Sequence, residues 1–177
     1  MTSAAARPEP IASRPFMPGY GVVPADQGRG LLDWAWAERR LADAHEYWLA
    51  TVRPAGPDQP APAPHLMPVW GVWLGGRLWL STSPGSRKAA NVRANAGVAV
   101  TTGDPLEPVV VEGTATVVAD PALVEAFAEA MDAKYETDYG PDFYAANVTV
   151  AVAPATVFAL DADDFTDTPT RWRFGPG

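Results

Sequence analysis

Apolar and polar positions change period several times along the chain, and each change marks an element. Over residues 30–44, Trp34, Ala37 and Leu41 fall at i, i+3 and i+7, one stripe of a helix with Asp33 placed to cap it. From residue 47 the pattern becomes that of strands. Residues 47–52 (YWLATV) form a first strand, and 54–64 are too rich in Pro and Gly for regular structure. Residues 65–74 (HLMPVWGVWL) read as a second strand, Gly75-Gly76 as a hairpin turn and 77–82 as the returning strand. A short helix over 86–95 precedes a strand at 98–102, then a long alternating strand over 109–118. Asp120-Pro121 opens a helix to about residue 135, with Leu123, Phe127 and Met131 on one stripe. Residues 138–146 read as a loop, 149–153 and 156–160 as closing strands, and 161–177 as a tail. Hairpin-length connections imply antiparallel pairing, and crossover helices between most strands are missing. The expected fold is mainly β with flanking α: one small antiparallel barrel over 30–177, preceded by a Pro- and Gly-rich arm over 1–29 that is disordered or laid over a partner subunit.

Composition narrows the chemistry. The 177 residues are 47% hydrophobic, enough for a core without staples. There is no Cys, which removes disulfides, thiolate nucleophiles and Cys-ligated zinc together; only His45 and His65 could offer imidazole. The net charge of −8 disfavours nucleic acid as a partner. No apolar run reaches the ~18 residues of a membrane span, and residues 1–24 lack the apolar stretch of a secretory signal, so a cytoplasmic protein is expected.

Chemistry concentrates in residues 78–95, LWLSTSPGSRKAANVRAN. A strand ends in Ser81-Thr82, a Ser83-Pro84-Gly85 turn follows, and Ser86-Arg87-Lys88 opens a helix. A helix start presents free N–H groups and positive partial charge; hydroxyls, a guanidinium and an ammonium added there make a phosphate site. A Ser cap followed by solvated basic residues would read the same way.

The block Ser81-Thr82-x-x-Gly85-Ser86-Arg87-Lys88-Ala89 resembles the cofactor-phosphate segment of the pyridoxamine 5'-phosphate oxidase family. The wider run is similar to that family's flavin- and deazaflavin-dependent oxidoreductases: WLATVRP (48–54), PVWGVW (68–73), the Ser-Arg-Lys block, EPVVVEG (107–113) and a tail like TRWRF (170–174). The resemblance spans residues 34–174. It implies an FMN-binding type of split β-barrel working as a homodimer with its site at the interface. It implies that Arg87 and Lys88 grip a phosphate while Ser81, Thr82 and Ser86 add hydrogen bonds. Val69 and Trp70 would lie along the flat ring of FMN or of the deazaflavin coenzyme F420, and the partner's tail would contribute Trp172 with Arg171 or Arg173.

The implied activity is hydride transfer between that cofactor and a planar conjugated molecule, in a pocket lined by Trp70, Trp73 and Trp172. A non-catalytic flavin, deazaflavin or tetrapyrrole carrier is the alternative. Pyridoxamine 5'-phosphate oxidase activity itself is disfavoured, because that enzyme uses an Arg-x-His pair near its C-terminus and Arg171-Trp172-Arg173 has no His. Strand 65–74 is apolar on both faces, so a ring system, a second subunit or the Trp34 helix must cover one of them. Pro68 within it marks an edge or a bulge. Glu112 reads as a solvated side chain, His65 as an acid/base with no partner in sight, Tyr135 and Tyr139 as packing, and the acidic stretch 161–167 as a solvated turn.

Overall fold

The computed structural model describes residues 9–57 and 59–175; the start of the arm, Asp58 of the Pro-rich loop and the last two tail residues lie outside them. A short β1 (Ile11–Ser13) precedes α1 (Trp34–Asp43), β2 (Tyr47–Arg53), β3 (Ala63–Val69), β4 (Val72–Leu74) and β5 (Arg77–Thr82). After these come α2 (Arg87–Ala94), β6 (Gly97–Thr102), β7 (Val109–Val118), α3 (Pro121–Tyr135), α4 (Gly140–Ala145), β8 (Val148–Ala159) and β9 (Thr170–Arg173). Every pairing is antiparallel.

The strands run β1-β9-β8-β7-β6-β2-β3, while β5 joins β4 to β8. Since β3 and β4 are one stretch of chain broken only at Trp70-Gly71, the ring β2-β3/β4-β5-β8-β7-β6 closes on itself. Alternation fills this barrel: Leu49, Leu78, Leu80, Val100, Val111 and Val150 point inward and are buried. Each such side chain contributes about 1.5–3 kcal/mol by leaving water. α1 closes one end through Ala37 and Leu41, and Trp34 packs its ring edge-on against Trp172 and Phe174. A second core lies outside the barrel, where Phe127, Ala128 and Met131 of α3 and Tyr144 of α4 cover Val72, Trp79 and Ala151.

Four local expectations change. Residues 65–74 form two strands, because the chain leaves β2 at Trp70-Gly71 to pair with β5. Gly71 must come so close to β5 that a Cβ would stand 2.8 Å from the Trp79 carbonyl oxygen. Residues 148–159 form one strand rather than two, Pro154 being absorbed by a bulge opposite Glu112 and Gly113. Residues 140–145 are a helix rather than a loop: Pro141 suits its first turn, and Asp132 at the end of α3 anchors the entry by accepting from Thr137 Oγ1 and the Gly140 N–H. The Thr137 hydroxyl, more than any other contact, holds the Asp132 carboxyl below its ordinary range. On α3 the buried stripe is Val124, Phe127, Ala128 and Met131, while Leu123 is exposed.

The described part of the arm packs on the body of the same chain. β1 pairs with β9, the Val23 N–H donates to the Thr166 carbonyl, and Arg14 donates to the carbonyls of Asp167, Gly30 and Pro169. Arg29 pairs with Asp161 and Asp164, so part of the acidic stretch is neutralised there. Among the described residues no helix is long and apolar enough to cross a membrane.

Candidate functional site

The β5–α2 connection folds as its residue types dictate. The Ser86 N–H closes the Ser83–Ser86 turn on the Ser83 carbonyl at 2.9 Å. Ser86 Oγ then accepts from the Ala89 N–H at 3.1 Å and lies 2.9 Å from Thr82 Oγ1, so cap and strand end are locked together. α2 carries Arg87, Lys88 and Arg93 and no acid. Among the described residues the ion pairs involve only Arg29 and Arg40, so neither Arg87 nor Lys88 meets a carboxylate. Arg93 donates to the Pro84 carbonyl at 3.2 Å and braces the turn.

Beneath the helix start lies a polar patch in the barrel end. Asn91 of α2 and Thr51 of β2 are fully buried, and Asn91 Nδ2 donates to Thr51 Oγ1 at 2.9 Å. Asn91 Oδ1, His65 Nδ1, Ser81 Oγ and Thr149 Oγ1 are buried with no partner among the described residues. Ser81 and Thr149 face each other across β5 and β8, and Thr51 and His65 across β2 and β3. By strand alternation Thr51 shares the inner face with Leu49, whereas Ser81 and Thr149 share the outer face with Trp79 and Ala151, so these atoms divide between the two sides of the sheet. Thr51 and Asn91 escaped the sequence reading. Their signal was a polar residue on the inward face of an apolar strand and an amide one turn beyond Arg87.

The other expected site residues divide. Val72 pairs with Trp79, and Val69 pairs with Tyr47 of β2, so the Trp70-Gly71 break leads from the β2–β3 ladder to the β4–β5 ladder whose strand β5 ends in Ser81-Thr82. The Val69 side chain is buried in the barrel core, leaving its backbone for any ligand; Trp70 is 53% exposed. Trp172 is not brought to this group. It is 1% exposed, packed inside its own barrel, and pairs with Val157, eight residues along β8 from the Ser81 partner Thr149. At about 3.3 Å per residue that is roughly 26 Å. The Trp172 ring packs in the core of its own chain. Trp73 is also half-buried, with Nε1 donating to Glu38, so Trp70 is the one indole of the expected three that is presented outward. Arg171 is held by Ser13 Oγ, whereas Arg173 is exposed.

Trp70 is held from behind. Its ring stacks on Tyr135 of α3 at 4.5 Å and 5°. Tyr135 Oη accepts from the Gly71 N–H at 2.9 Å and lies within donating range of the Gly71 and His45 carbonyls, at 3.0 and 2.8 Å. Burial raises the Tyr135 hydroxyl above its ordinary pKa, so it stays a donor. Next to it Lys134 Nζ donates to the Ala42 carbonyl at 2.9 Å and to Tyr47 Oη at 3.0 Å. Burial lowers the Lys134 pKa to about 8 and raises that of Tyr47. Glu112 is exposed beside the bulge, and among the described residues no group of His, Asp and Glu is placed to hold a metal.

A closed antiparallel barrel with a turn entering a short helix at a strand end is the split-barrel class of fold. Residues 36–168 match the family model described as pyridoxamine 5'-phosphate oxidase, and the chain belongs to that family. Among solved structures it is similar to a conserved hypothetical protein of Mycobacterium tuberculosis at 23% identity and TM-score 0.63, covering 74% of this chain and 86% of that one. An F420 reductase matches at 28% identity and TM-score 0.54, covering 68% and 94%. A FAD-binding protein of Mesorhizobium loti matches at 19% and 0.53, covering 80% and 95%. No curated protein matches. The unpaired cations and the orphaned buried hydroxyl of Ser81 fit the phosphate of a flavin-type cofactor.

Proposed function

We propose that the protein is an oxidoreductase that binds a flavin-type cofactor at the β5–α2 turn, preferring the deazaflavin coenzyme F420 over FMN. The observation that carries this is α2: three cations and no carboxylate on one eight-residue helix, in a chain of net charge −8. Arg87 and Lys88 hold the phosphate, Ser81, Thr82 and Ser86 bond its oxygens and the polyol chain, and the Val69 backbone and the Trp70 ring meet the flat ring system. Arg93 and Arg53 extend the positive charge beyond one phosphate, as an acidic coenzyme tail requires. The 28% identical F420 reductase supports the same preference. When bound, such a cofactor supplies hydride transfer; the chain's own residues bind it, orient it and shield it from water. That division of labour suits a site with no acid–base pair on its surface.

A homodimer belongs to the same reading. Pro68, Trp48, Thr101, Val110 and Phe158 form one outward row across β3, β2, β6, β7 and β8. Trp48 is 41% exposed and Leu66, beside this row, 56%. An outer sheet face with exposed apolar side chains of this kind is suited to a second copy. The working setting would be the cytoplasm, where reduced cofactor is available, and the substrate a planar conjugated molecule.

Absorbance and mass spectrometry of ligand co-purifying with the protein test the cofactor. Stopped-flow oxidation of reduced F420 and reduced FMN with quinone-like acceptors tests turnover. Binding without faster oxidation than the free cofactor would leave a carrier, and light scattering that finds a monomer with cofactor bound would remove the dimer.

A further inference from the structure

Trp70 is exposed, yet one face of its ring is covered by a parallel partner. Exposed indoles on loops ordinarily sample several rotamers. Here one face is covered by the parallel Tyr135 ring at 4.5 Å, while the residue remains 53% exposed. Its neighbour Gly71 is fastened by Tyr135 Oη and cannot carry a side chain, because a Cβ would strike the Trp79 carbonyl. Tyr135 in turn is fixed by the His45 carbonyl and, edge-on, by the His45 ring at 5.5 Å. The kink between β3 and β4, the last turn of α3 and the α1–β2 junction thus converge to present one electron-rich ring in a set orientation.

We propose that Tyr135 is a positioning residue that locks Trp70 as a stacking platform, and that this platform selects the oxidised, planar and electron-poor form of the bound ring over the reduced form. The inference rests on the cofactor reading above. An indole backed by a phenol is a donor stack; it attracts an electron-poor partner and gains less from an electron-rich, puckered one. Preferential binding of the oxidised form lowers the reduction potential of the bound cofactor and makes its reduced form a stronger hydride donor.

The test is anaerobic titration of the purified protein with oxidised and reduced FMN and with oxidised and reduced F420. It uses wild type, Trp70→Ala, Tyr135→Leu, Tyr135→Phe and the double variant Arg87→Ala/Lys88→Ala. Tyr135→Leu and Trp70→Ala should each weaken the oxidised form by about three- to tenfold and the reduced form less, shifting the affinity ratio in the same direction. Tyr135→Phe keeps the stacked ring and loses the Gly71 contact, so it should give a smaller shift with a near-native melting curve. The Arg87/Lys88 variant should weaken both forms alike. An unchanged oxidised-to-reduced ratio in Trp70→Ala and Tyr135→Phe, in protein that still binds, overturns the inference. Unchanged affinity in the Arg87/Lys88 variant overturns the cofactor reading instead. Should Tyr135→Leu fail to fold, Trp70→Ala and Tyr135→Phe decide the matter, since Trp70 is exposed and Phe preserves the packing.

Discussion

The start of α2 and the junction of α1 with β2 both gather polar and charged side chains, yet they are finished differently. At the junction the cations have partners, while the carboxylates of Asp43 and Glu46 make no hydrogen bond or ion pair among the described residues. Arg40 bonds Glu107 and lies over the Trp36 ring, Lys134 bonds the Ala42 carbonyl and Tyr47 Oη, and Tyr47 Oη also reaches the Leu41 carbonyl. At the start of α2 the helix cap is satisfied, but among the described residues Arg87 and Lys88 meet no carboxylate. The junction thus keeps its cations paired, whereas the start of α2 keeps Arg87 and Lys88 free of carboxylates.

Substitutions can break this contrast. The largest effect is expected from Arg87→Ala/Lys88→Ala, which should cost about 3–6 kcal/mol of cofactor affinity, at ~1.5–3 kcal/mol per charge-assisted bond. Its melting temperature should stay near that of the wild type; calorimetric titration and a thermal melt check both halves. At the other end Leu41→Ala, which removes a fully buried side chain from α1, should cost about 2–5 kcal/mol of stability in urea unfolding and leave the affinity of the folded fraction unchanged. If Leu41→Ala also abolished binding by folded protein, the two regions would not be independent.

Titration separates them further. Burial pushes the Lys134 pKa down to about 8 in the folded protein, below the ordinary lysine range, so the unfolded chain holds the proton more tightly. Its contribution to stability is present in full above the unfolded value and is lost as pH falls through about 8. Wild type should therefore gain stability relative to Lys134→Met between pH 7 and 9.5, read by urea unfolding at the two pH values. Tyr47 and Tyr135 are raised and act in the opposite sense only at higher pH. The smallest effects concern caps. Asp120→Ala should cost ~1 kcal/mol, because Asp120 Oδ1 accepts from the Ala122 N–H. Asp33→Ala should stay within ~0.5 kcal/mol, because Asp33 makes no side-chain cap bond.

Period and punctuation in the sequence settled the local elements. Helix stripes, the Gly75-Gly76 turn, the Asp120-Pro121 start and the Ser86 cap depend on residues a few positions apart, whose interactions are local. The same locality made the strand end, turn and helix start over Ser81–Lys88 legible, since they follow one another along the chain. What depended on distant partners was decided only by the tertiary structure. Pro154 looked like a break until β7 supplied a bulge opposite it, and residues 140–145 looked like a loop until Asp132 and Tyr144 anchored a helix. Trp172 and Trp70 are the same residue type on similar apolar stretches. One fills the barrel and the other is held outward by Tyr135, 65 residues away, because burial and exposure are set by which strand curls over which and no period along the chain encodes that.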